Sequence, residues 1–273
     1  MKKILVQPSS LENLGDVLKT DIDGIILPLE HFSVNSGIYF SLEDIKSIMN
    51  LTSKEICISL NKIMENDDLK DLELALISLN KMNISKIFFY DLAVLNIVKR
   101  LNIKKELVVF QDHLNASNYS NNFYQRRGIS YSVITNDITK EEINEISKNN
   151  KLMLICYGYL PIFYSRRFLI SNYLEYIKKE KNSDLYYIKN KEDRYPIVEE
   201  EKGTTVYTGK PLNLINELDD INVDYIILNA NLTSRKEFLS ILNKYIDNVC
   251  DEEEHYIGFI NRKTVYKVED YEK

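Results

Sequence analysis

Short apolar runs recur along the chain at intervals of about thirty residues, each followed by an amphipathic stretch rich in Lys and Glu. That rhythm predicts repeated strand–helix units and a parallel sheet. Eight runs read as strands: 4–7, 24–29, 56–60, 86–90, 107–111, 130–134, 152–157 and 225–229. Helix starts are marked by Ser41 with Asp44 three positions on, and by Thr139 with Glu142, both in the pattern of a capping box. Between the third and fourth runs, Leu69, Leu72, Ala75, Leu76 and Leu79 recur at helical spacing and predict one buried helix face. Eight parallel strands could make an open sheet, but the count and even spacing favour closure into a TIM-like (β/α)8 barrel.

The rhythm breaks once. More than sixty residues separate the seventh and eighth runs, and they include strand-like pieces at 185–188, 194–198 and 205–207. Asn190-Lys191-Glu192-Asp193 supplies turn chemistry between two of them. A small β insert over 185–207 is expected beside the barrel mouth. After the eighth run, a helix over 234–248 leads into an acidic stretch and two short runs, 256–260 and 264–268, expected to pack as a β tail over 251–273. Residues 1–250 would then form the barrel with its insert.

Composition narrows the function classes. The chain has 273 residues, 44% of them hydrophobic and 28% charged, which suits one large soluble barrel domain. A net charge of -6, from 35 basic and 41 acidic side chains, offers no global attraction to phosphate backbones or anionic lipid. Nucleic-acid contact would have to be local. No stretch approaches the roughly 20 apolar residues of a membrane helix, and the apolar run after Met1 is too short for a signal-peptide core. A cytoplasmic location is expected. Cys57, Cys156 and Cys250 are far apart and lack CxxC spacing, so neither a disulfide framework nor a metal centre is expected.

Two segments carry a resemblance. Tyr157-Gly-Tyr-Leu-Pro161-Ile-Phe-Tyr-Ser165-Arg166-Arg167, followed by Ser171-Asn-Tyr-Leu, is similar to the signature region of the peptidase U32 family, and 193–204 with Thr-Val-Tyr207 resembles that family's E-N-x-x-G region and the strand after it. Phe89-Tyr-Asp91-Leu-Ala-Val-Leu and Gly258-Phe259 add to the likeness. In characterised relatives, cysteines in and around the signature hold an iron–sulfur cluster used in oxygen-independent hydroxylation. Here Tyr159, Tyr164 and Phe168 fill such places and only Cys156 is near, whereas an ordinary cluster needs four thiolates; no cofactor is therefore expected. The cysteine-poor pattern resembles short U32 proteins of low-GC bacteria that act beside a longer U32 partner. The resemblance implies prephenate-dependent tRNA uridine hydroxylation, with tRNA engaged indirectly.

Barrel chemistry belongs at the carboxyl ends of the strands. Candidates there are Glu30 and His31, Asp91, Gln111 with Asp112 and His113, and Arg166 with Arg167. Asp91 reads as a base or as a helix cap; His113 reads as a proton shuttle or as a loop imidazole bonded to backbone. Arg166 and Arg167 suit a small carboxylate or phosphate, or else pair with Glu199 or Glu200. Tyr157, Tyr159, Tyr164 and Ser165 could line the same mouth, and Gln111 and Glu199 complete the expected ligand set. No GxSxG or HExxH occurs, so peptidase chemistry has no motif here. Three readings stay open: a subunit that binds a small anionic metabolite and supports tRNA hydroxylation with a larger partner or as a homo-oligomer, a peptidase with unrecognised catalytic residues, and a non-catalytic scaffold.

Overall fold

The computed structural model describes residues 2–250 and 252–262. Eight parallel strands close into a barrel: β1 (Lys3–Gln7), β2 (Gly24–Pro28), β3 (Glu55–Leu60), β4 (Lys86–Phe89), β5 (Glu106–Phe110), β6 (Tyr131–Val133), β7 (Leu152–Gly158) and, after an insert described below, β13 (Tyr225–Asn229). The ring closes where β6 pairs with β7, at Ser132 opposite Leu152 and Val133 opposite Met153. All eight expected runs are strands, with no end shifted by more than one residue. The crossovers are α1 (Leu11–Val17), α2 (Leu42–Met49), α3 (Leu69–Asn80), α4 (Leu92–Arg100), α5 (Asn118–Gln125) and α6 (Lys140–Ser147). Both predicted capping boxes form, at Ser41 with Asp44 and at Thr139 with Glu142, satisfying backbone N–H groups that the first turn leaves open. On α3, Leu72, Ala75, Leu76 and Leu79 are buried as the spacing requires.

Because strand side chains alternate, the barrel has two cores. Leu5, Ile26, Cys57, Phe88, Val108, Val133, Met153, Ile155, Tyr225 and Ile227 fill the interior, and a larger set packs between strands and helices. The amino-terminal end of the barrel is plugged by Lys86, only 3% exposed, whose ammonium pairs with Glu55 at 2.5 Å and Glu106 at 3.3 Å and sits 4.9 Å from the centre of the Tyr225 ring.

The insert is larger than its sequence suggested. It is a four-stranded antiparallel sheet in the order β8-β11-β10-β9, with β8 (Pro161–Ser165), β9 (Leu185–Asn190), β10 (Asp193–Glu200) and β11 (Gly203–Tyr207). It begins at Pro161, not at 185, because the signature segment itself pairs with β11. The 190–193 turn forms as expected, with Asn190 opposite Asp193 and Lys191 in the left-handed region. Helix α7 (Leu169–Tyr176) lies between β8 and β9; β12 (Leu212–Asn213) adds antiparallel to β7, and α8 (Arg235–Asp247) follows β13.

The tail departs from the expected ribbon. Within 256–260 only Tyr256 bridges, to Leu212, and the chain then turns; the run 264–268 lies outside the described residues.

Candidate functional site

The carboxyl ends of the strands and the insert enclose a cleft of about 780 Å³, counting space open to solvent. Its polar lining is Gln7 and Asn229, the last residues of β1 and β13, Asn35 and Asn61 from the loops after β2 and β3, Tyr90 and Asp112 after β4 and β5, and Tyr159 after β7. Tyr164 and Tyr207 close the cleft from the insert. Among the described residues, no Lys, Arg or His lines it.

The insert is tied down as a lid. Thr205 and Tyr39 donate hydroxyl hydrogen bonds to Asn35 Oδ1 and Glu200, respectively, while the Asn35 N–H reaches Glu200 at 3.2 Å. Asn231 Nδ2 donates to the Asn35 carbonyl at 3.2 Å and to the Tyr207 hydroxyl at 3.3 Å. Gly37 has φ +70° and lies so close to Asn231 that an added Cβ would sit 2.8 Å from its Oδ1. Burial raises the pKa of Tyr39, reinforced by the charge of Glu200, and burial likewise raises that of Tyr207. Both hydroxyls therefore stay protonated as donors.

After these tethers, donor capacity remains pointed at the cleft. The Gln7 amide and the Tyr90 and Tyr159 hydroxyls have no hydrogen-bond partner among the described residues. Asn35 and Asn229 use their side-chain oxygens and keep their Nδ2 groups unengaged there. Asp112 is the one carboxylate in the lining among the described residues. Burial raises its pKa; His113 opposes this and the charge of Asp137 adds to it. The cleft thus offers neutral donors and a single carboxyl held toward its protonated form.

The residues named from sequence separate cleanly. Asp112, Tyr159 and Tyr164 come together in the mouth. Tyr157 does not: β7 carries an extra residue, Cys156, between the pairs Ile155–Ile227 and Tyr157–Leu228, and this bulge turns Tyr157 outward onto Phe238, ring centres 5.9 Å apart. Burial there pushes its pKa up to about 12. Asp91 caps α4, accepting from Ala93 N–H at 2.8 Å and Met64 N–H at 3.0 Å. Gln111 is engaged at both ends, donating to the Tyr90 carbonyl at 2.9 Å and accepting from Tyr124 at 2.6 Å. His113 pairs with Asp137 at 2.5 Å in a shallow pocket that shares Asp112 with the cleft. Glu30 and His31 line a separate groove against α2 and α3.

Arg166 is paired with Glu65, not with Glu199 or Glu200, and Arg167 is exposed with no ion pair among the described residues. Neither lines the cleft. Ser165 Oγ accepts from Arg167 N–H at 3.3 Å, with no titratable side chain bonded to it. Glu199, 2% exposed, crowns the start of α7: Ile170 N–H donates at 2.8 Å, Ser171 N–H at 3.0 Å, and Lys181 at 3.0 Å. Its carboxylate is fully occupied. The cleft residues that sequence reading missed are Gln7, Asn35, Asn61, Tyr90, Tyr207 and Asn229. A signal existed for three of them, since Gln7, Tyr90 and Asn229 are each the final polar residue of a predicted strand run.

An iron–sulfur cluster does not fit. Cys57 points into the barrel core, Cys156 into the outer layer, and Cys250 is exposed beyond α8. Burial pushes the Cys57 thiol up to about 12 and raises that of Cys156, the reverse of what a thiolate ligand needs. Among the described residues, no three His, Cys, Asp or Glu side chains gather as a metal site, and no helix is long and apolar enough to cross a membrane.

The sequence is similar to known proteins along most of its length. The chain is 25% identical over 236 residues to the tRNA hydroxylation protein P2 of Bacillus subtilis (strain 168), a match covering 81% of this chain and 76% of that protein. The sequence model of peptidase family U32 matches residues 9–271. A match along nearly the whole chain, over a closed barrel whose lid is built from the signature segment, places this protein in peptidase family U32.

Proposed function

We propose that this chain supports tRNA uridine hydroxylation as a ligand-binding barrel working beside a larger U32 partner, and that its mouth takes a small carbonyl- or carboxylate-bearing metabolite. The observation that carries the reading is the set of unengaged neutral donors converging on one cleft, with its carboxyl biased toward the protonated form. Such a site receives carboxylate oxygens through amide and phenol hydrogens, and a protonated Asp112 adds a further donor. The relative's role, tRNA hydroxylation, supplies the process. Peptide hydrolysis has less support, because Ser165 lacks a base and the one hydroxyl bonded to the His113–Asp137 pair among the described residues, that of the buried Thr135, donates to Asp137 at 3.0 Å and not to the imidazole.

Calorimetry with prephenate tests this. A bound carboxylate disfavours ionised Asp112, so affinity should rise as pH falls through the raised Asp112 pKa. Asp112→Asn should flatten that dependence and bind at least as well as the wild type at neutral pH. Tyr207→Phe should cost about tenfold, the loss of one hydrogen bond to a charged group. Arg166 and Arg167 lie outside the lining, and alanine at either should change affinity by less than about threefold, the scale of an exposed charge. No binding of prephenate or related dicarboxylates below millimolar concentration would overturn the metabolite assignment.

A further inference from the structure

The β9–β10 hairpin places two cations directly opposite each other. Lys189 pairs with Arg194 in the antiparallel register, and cross-strand partners point to the same face. Like charges in that position repel. Charged residues at open strand edges can deter unwanted pairing, a role open to Lys189 on the edge strand and to Arg194, which lies beyond the 197–200 stretch of β10 paired with β11; binding of RNA is what separates that role from a ligand-binding one. The turn adds Lys191, and the backbone of Gly209 lies against Arg194, so that an added Cβ would be 3.4 Å from the Arg194 carbonyl, with Lys210 the next residue in the chain. Lys189, Lys191, Arg194 and Lys210 are all exposed and form no ion pair among the described residues. Glu192 and Asp193 are in the same turn, yet Asp193 stands opposite Asn190, not opposite a cation.

Aromatic rings accompany these charges. Tyr187 is exposed on the same face of β9 as Lys189 and lies close enough to Tyr159 of the mouth to influence its titration. Tyr195, half-buried and on the opposite face of the sheet, approaches Gly209, with its Cε1 3.8 Å from a Cβ built there. A local cationic surface with the exposed Tyr187 on the same face, on a chain of net charge -6, is complementary to a phosphate backbone with an accessible base. It adjoins the entrance of the cleft.

We infer that this hairpin and the 208–211 turn form a direct RNA-binding rim, which holds the phosphates of a tRNA segment beside the barrel mouth. This rests on the proposed role in tRNA hydroxylation for the identity of the RNA, but its binding test does not depend on that role. The key variant is Lys189→Glu, which places a carboxylate opposite Arg194. It converts a repulsive cross-strand pair into an attractive one, so the melting temperature should hold or rise. If the cations serve only the fold, nothing else should change.

The experiment measures fluorescence anisotropy of labelled tRNA on the full chain across a salt series, for wild type, Lys189→Glu, Lys210→Glu and Tyr187→Ala, with melting temperatures in parallel. Wild type should bind with an affinity that falls as salt rises, and each charge reversal should weaken binding and lower the slope of log affinity against log salt by about 1. Tyr187→Ala should weaken binding with the slope unchanged. Absence of tRNA binding by wild type at low salt would overturn the inference, as would equal binding by wild type and both charge-reversed variants. A protein that co-purifies with wild type and is lost in Lys189→Glu, without any tRNA binding, would also overturn it and assign the rim to a protein partner. Failure of prephenate to bind would sink the metabolite reading alone and leave the anisotropy result standing.

Discussion

Glu199 shows how a charged residue in a signature region serves the fold. Its carboxylate is buried, and burial alone would raise its pKa, but the Ser171 and Lys181 hydrogen bonds outweigh that and hold it below the usual glutamate value. The sign for stability follows. The contribution is complete above about pH 4.3, the ordinary unfolded value, and is lost as pH falls through the lower folded value. Glu199→Gln should cost about 1.5–3 kcal/mol at neutral pH, since two backbone N–H groups at the start of α7 lose a charged acceptor, and denaturant titration at pH 7 and pH 4 should show the gap to wild type narrowing at the lower pH. Sequence alone could not separate this role from ligand binding, because the partners of Glu199 lie 28 and 29 positions earlier. Asp91 was more legible: a carboxylate just before an apolar-periodic run is an N-cap by local pattern, and that is what it does.

Elements were legible where their signal is local. Strands followed from apolar runs, and helix starts from capping boxes. β8 was not, because Pro161–Ser165 exposes Ile162 and Phe163 and becomes a strand only by pairing with β11 about forty residues on. The 256–260 run shows the opposite failure, having strand-like composition but a single bridge. The β8–β11 pairing also sets a glycine requirement. Gly203 has φ +138°, and a Cβ there would meet the Ser165 carbonyl oxygen at 2.2 Å. Gly203→Ala should therefore separate the two strands, lowering thermal stability by several degrees and exposing β8 to limited proteolysis, while the barrel strands keep their hydrogen-exchange protection. Uniform loss of protection across β1 to β7 would show that the lid and barrel unfold as one unit.

At the scale of the whole molecule, the barrel could be counted from the rhythm of the chain, but the cleft could not. Gln7 and Asn229 are adjacent only because β1 pairs with β13, and Tyr207 reaches the mouth only because the lid folds back over it. Closure also has a kinetic consequence. The plug of Lys86, Glu55 and Glu106 seals one end of the barrel, so a ligand enters and leaves on the lid side, where Asn35 of the cleft is tied to Glu200 beside Tyr39. Residence time in the cleft should then follow the opening frequency of that tether. Tyr39→Phe should raise association and dissociation rates together by similar factors in stopped-flow measurements, leaving the equilibrium constant nearly unchanged. The protein would behave as a slow-exchanging holder of its ligand, handing it over when the lid is disturbed.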